Sequence, residues 1–94
     1  MHQSFLVHAP DDFVGVAVRD IAAGADVPGR VQSSGDVIAL DVVEEVPLGH
    51  KVALRDIASG ERVVKYGVPI GKATQDIRVG QHVHVHNLEG ERWA

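Results

Sequence analysis

The chain has 94 residues, a formal net charge of −4 and no cysteine. That length holds one small core, since domains commonly run to about 100 residues, and the missing thiols exclude disulfides and cysteine metal ligands. The acidic balance comes without a Lys/Arg cluster, which argues against nucleic acid or an anionic membrane as partner, because both require a basic face.

From the N-terminus, "MHQSFLVHAPDD" shows neither a basic leader nor a long apolar stretch. No signal peptide or spanning helix is expected, and the cytoplasm is the default location. Segments with strand composition follow at 4–8, 36–43, 50–54, 62–66 and 82–86, each bounded by Gly, Pro or Asp. Between them lies a repeat. "VAVRDIAAG" (16–24) returns as "VALRDIASG" (52–60), with a shortened echo, "DIRVG", at 76–80. Each copy offers an Asp able to cap a turn, an Ile to bury and a Gly able to take positive φ, which predicts a strand, one short helical turn and another strand. In "DVVEEVP" (41–47), Glu44 and Glu45 are neighbours and point to opposite sides of a strand, so solvation is their expected fate. "KYGVPIGKA" (65–73) reads first as a tight β corner and second as an anion-binding loop with Lys65 or Lys72 beside it. The tail 88–94 is polar except for Trp93. No segment carries a sustained helical period. The expectation is a single domain over 1–94, mainly β and compact, with short helical turns at its corners and a short C-terminal tail from 88.

Half of the six histidines sit within five positions, in "HVHVH" (82–86). On a strand, His82, His84 and His86 share one face while Val83 and Val85 face the other. Neighbouring histidines then stand about 6 to 7 Å apart at Cα, close enough for two imidazoles to converge on one divalent ion at roughly 2.0–2.1 Å. A third ligand comes more naturally from another segment, and His50, after "PLG", is the candidate. The competing interpretation is a half-exposed strand whose imidazoles bond backbone or water. His2 and His8 carry no assigned chemistry. Trp93, a large apolar surface in a polar tail, is a candidate interface residue.

Together, "GHKVAL" (49–54), "KYG" and "IG" within 65–73, and "HVHVHN" (82–87) resemble the SAF domain of altronate and galactarate dehydratases. The same domain forms a separate small subunit in two-chain lyases such as sulfolactate sulfo-lyase. Similar domains occur in sialic acid synthases and fish type III antifreeze proteins. The resemblance implies a β-clip fold and, with a large catalytic subunit, elimination of water or sulfite from a 2-hydroxy acid such as a sugar acid to give a 2-oxo acid. It further implies a divalent metal, Fe(II) or Mn(II). On that basis His84 and His86 are metal or acid–base residues, His82 and His50 further ligands, and Lys51 and Lys65 contacts for an anionic hydroxy acid. A homo-oligomer is also compatible. The alternative function is a non-catalytic SAF module for ligand binding or assembly.

Overall fold

The computed structural model describes residues 3–90. Nine short strands run in the order β1 (Phe5–Val7), β2 (Val14–Ala17), β3 (Asp26–Val31), β4 (Val37–Asp41), β5 (Lys51–Ala53), β6 (Arg62–Lys65), β7 (Val68–Ala73), β8 (His82–Val83) and β9 (Leu88–Gly90). Among the described residues there is no helix, and so none long and apolar enough to cross a membrane. The fold is mainly β, as the residue pattern predicts. One sheet has the order β4-β3-β1-β2-β5-β8 and the other β6-β7-β9.

Two cores lie on either side of the central strands. Ala17 of β2 and Val52 of β5 join Phe5, Val7, Ile21, Leu40 and Val46 in the first core. Val14 and Ala53 of the same strands join Ile57, Val63, Ile77 and Val83 in the second. A strand buried on both faces has no polar alternation, which is why these segments read as short unbroken apolar runs. With so few aromatics, packing depends on close backbone approach. A Cβ on Gly29 would stand 2.1 Å from the Phe5 ring, so only glycine leaves room for that side chain.

The corners differ from the expected helical turns. Ile21 bridges Val46 and Ile57 bridges Ile77. After each of these residues a turn closes through an i+3 amide: Ala25 to Ala22, His50 to Pro47, Glu61 to Ala58 and Gln81 to Arg78. Gly24, Gly49, Gly60 and Gly80 occupy the third position with φ between 83° and 87°. Positive φ there is the mark of a type II turn, and it reverses the chain before a helical turn can form. Glu45–Gly49 is thus a fourth copy of the repeat, hidden in the sequence because Val46 replaces the Ile and Pro47-Leu48 fills the turn. The repeated Asp residues latch the opposite corner: Asp20 accepts the Leu48 amide at 2.9 Å, Asp56 that of Val79 at 2.8 Å and Asp76 that of Ser59 at 2.9 Å.

"KYGVPIGKA" is the β6–β7 hairpin, with Tyr66 and Gly67 both at positive φ in its two-residue loop. The Tyr66 amide donates to the buried Asp12 carboxylate. The corner reading holds. Leu88–Gly90, expected within the C-terminal tail, pair with β7 as an edge strand. Trp93 and its expected interface role lie outside the described residues.

Candidate metal centre

The histidine segment does not stay extended. β8 ends at Val83, and residues 84–87 turn the chain toward β9. Asn87, 2% exposed, holds the turn through its side chain. Its Oδ1 accepts the His84 amide at 2.9 Å and its Nδ2 donates to the His82 carbonyl at 2.8 Å. Asparagine bonding to local backbone in this way displaces the sheet ladder. The expected strand over 82–86, with both valines on one face, is therefore corrected: Val83 is fully buried and Val85 is 83% exposed.

The turn still gathers imidazoles, and His50 joins them from the corner before β5. Antiparallel pairing of Val52 with His82 sets β8 beside β5. His50 Nδ1 lies 2.7 Å from His82 Nε2, and the His50 and His84 rings stack with centroids 3.7 Å apart. One nitrogen from each of His50, His82 and His84 falls within 4.8 Å of the others. Two ligands on one ion stand at most about 4.2 Å apart, taking bonds of 2.1 Å, so the 4.8 Å spread would have to close by a few tenths of an ångström for all three to bind one ion. A set of three neutral imidazoles fits a borderline divalent cation. His86 is exposed, with its ring tilted against His82 at 4.9 Å, and stands outside the group of three.

Lys51 lines a cleft of about 230 Å³ with His84. Lys65 stands instead at the β6–β7 hairpin, and the His8 ring is tilted against Tyr66 with centroids 5.2 Å apart. Sequence reasoning missed two supports. Glu44, expected to be solvated, accepts the His82 amide at 2.8 Å. Asn87 was readable only as a turn residue after "HVHVH". Asn87→Ala should cost about 2–3 kcal/mol, because it strands the His84 amide and the His82 carbonyl. Urea unfolding checks this, and an unchanged midpoint would refute the clamp.

Partial burial lowers the His82 pKa from the usual 6.5, helped by repulsion from His86, His50 and His84 and opposed by Glu44. Partial burial also lowers that of His84, together with His50, Lys51 and His86. Both shifts favour the neutral imidazole, the form a metal requires. In the unfolded chain they take up protons near 6.5, before the folded site does. Stability of the metal-free protein is therefore full above that value and falls as the pH drops below it, until the folded imidazoles are protonated too. Urea midpoints at pH 7.5 and 5.5 should differ in the parent and converge when His82 and His84 are both replaced by Gln.

Residues 3–91 match the family described as altronate/galactarate dehydratase SAF domain. The chain is 45% identical over 94 residues to (2R)-sulfolactate sulfo-lyase subunit alpha of Chromohalobacter salexigens, covering 99% of this chain and 100% of that one. It is 46% identical over 85 residues to altronate dehydratase of Escherichia coli, covering 90% of this chain. It is 41% identical over 87 residues to altronate dehydratase of Bacillus subtilis, covering 93%. The chain spans 16% of the length of each of these two dehydratases. The family match spans the whole of the described fold, the histidine cluster included, and together with these identities it shows that the chain belongs to the altronate/galactarate dehydratase SAF-domain family.

Proposed function

We propose that this chain is the small subunit of a lyase that eliminates water or sulfite from an anionic 2-hydroxy acid, such as a sugar acid, to yield a 2-oxo acid. The observation that carries the proposal is the convergence of His50, His82 and His84 beside Lys51, in a chain whose relatives are named for lyase activities. His50, His82 and His84 hold a divalent cation, with Fe(II) the better match to imidazole and Mn(II) favoured if the large subunit adds carboxylates. When bound, that cation supplies Lewis acidity to the hydroxy acid.

The protein groups then divide the remaining work. The Lys51 ammonium draws the substrate carboxylate toward His84. His86, outside the group of three and open to solvent, is the acid–base residue that gives a proton to the departing C3 hydroxide, while a base of the large subunit takes the C2 proton and the resulting enol tautomerises to the 2-oxo acid. Lys65, at the hairpin, is a weaker candidate for an anion contact. The large subunit contributes the remaining substrate contacts and selects the leaving group, and the assembly works in the cytoplasm.

The test is to co-purify the chain with its large subunit, measure bound metal, and assay 2-oxo acid release from altronate, galactarate and sulfolactate. His86→Gln should retain metal and lose most turnover. A complex that holds no metal, and whose activity survives His84→Ala, would favour the non-catalytic assembly role instead.

A further inference from the structure

β8 is an edge of the six-stranded sheet and β9 an edge of the three-stranded one. The 84–87 turn that carries the histidines joins these two open edges. At its tip stands Val85, 83% exposed, where turn chemistry ordinarily selects Gly, Asn, Asp or Ser. Asn87 clamps both ends of this turn, so the valine is presented on a rigid support. Behind it lies the cleft lined by Lys51, Ile70, His84, Val85, Leu88 and Gly90. His84 thus belongs both to the imidazole cluster and to an apolar-rimmed surface.

The geometry points to this surface, centred on Val85, as the docking site of the large lyase subunit, which closes over His84 and completes the centre. The inference rests on the proposed lyase role. Two observations favour the large subunit as occupant. The surface is continuous with a cluster that offers three ligands among the described residues, so a partner seated on Val85 and against His84 can add to that set. In the altronate dehydratases the matching stretch is 16% of one chain, so a far larger body is covalently held to it. On this inference the large subunit would present an apolar pocket to Val85 and oxygen ligands to the centre.

The test titrates purified large subunit against the full chain and two variants. Val85→Asp should weaken association about 30-fold or more, as expected for an interface hot spot. Val37→Asp is the control. Val37 is also exposed, but it lies on β4 at the opposite edge of the same sheet, and its replacement should change nothing. Co(II) binding by the isolated Val85→Asp chain should match the parent, which separates the interface from the metal centre: loss of metal chemistry with intact Val85 dependence would sink only the proposed lyase site. Equal affinity of all three chains for the large subunit overturns the docking site, as does no association of the parent. So does a Val85→Asp effect confined to self-association, which would make a second copy the occupant, or a fall in Co(II) affinity in that variant.

Discussion

Alanine in place of His50, His82 or His84 should weaken Co(II) or Fe(II) binding to the isolated chain by about 100-fold or more. Removing a group that merely orients a ligand costs about 10- to 100-fold, and these substitutions delete the ligand itself. The three nitrogens converge from two segments, His50 ahead of β5, and His82 in β8 with His84 just after it. None is backed by a fourth protein donor in that group, so two remaining imidazoles chelate poorly. His86→Ala, outside the group, should change affinity several-fold at most and serves as the internal comparison. Calorimetric titration at pH 7.5 reads all four variants. Equal losses at His84 and His86 would mean that the ligand set is other than the one assigned.

Gly80→Ala should be the most damaging single-methyl change near the site, at about 3 kcal/mol or more. Its φ is 87°, a conformation that costs a residue with a Cβ about 1–3 kcal/mol. The added Cβ would also stand 2.1 Å from the Asp41 carbonyl oxygen, and backbone cannot swing aside as a side chain can. The same residue donates to Ala53 and accepts from Val43. Gly24→Ala supplies the control: its φ is also positive, but the new methyl meets nothing within 4 Å. It should cost only the conformational term, about 1–2 kcal/mol. Thermal and urea unfolding distinguish the two, and equal losses would show that the clash is relieved at little cost.

The β character and the positions of the corners were readable because they rest on local chemistry, although the turn type was not. "DIAAG" and "DIASG" each name a residue to bury, a carboxylate and a glycine for positive φ. What local chemistry could not specify was the partner of each carboxylate, since Asp20 reaches across 28 residues to Leu48 and Asp56 across 23 to Val79. The histidine segment shows the converse failure. Alternation of His and Val has the period of a strand, yet five residues cannot distinguish a strand from a turn fixed by the next side chain, Asn87. The place of His50 in the cluster was recoverable because it follows a turn glycine and precedes a strand, whereas that of Glu44 was not. A carboxylate 38 residues from its amide partner leaves no periodic trace.

Val52 and Ala53 are successive residues of β5, yet one belongs to the first core and the other to the second. A strand shared in this way makes the two cores poor candidates for independent unfolding, because releasing β5 exposes both. The imidazole cluster sits where β5 meets β8, at this shared seam. A cation bound there attaches only to the intact seam, so its binding free energy adds to the stability of the whole molecule by mass action. Loading the centre should therefore slow amide exchange in Phe5 and Val7 of the first core as much as in Val63 of the second, although none of these residues approaches the metal. The centre acts as a clasp on the entire fold, and chelation becomes a means of loosening it from end to end.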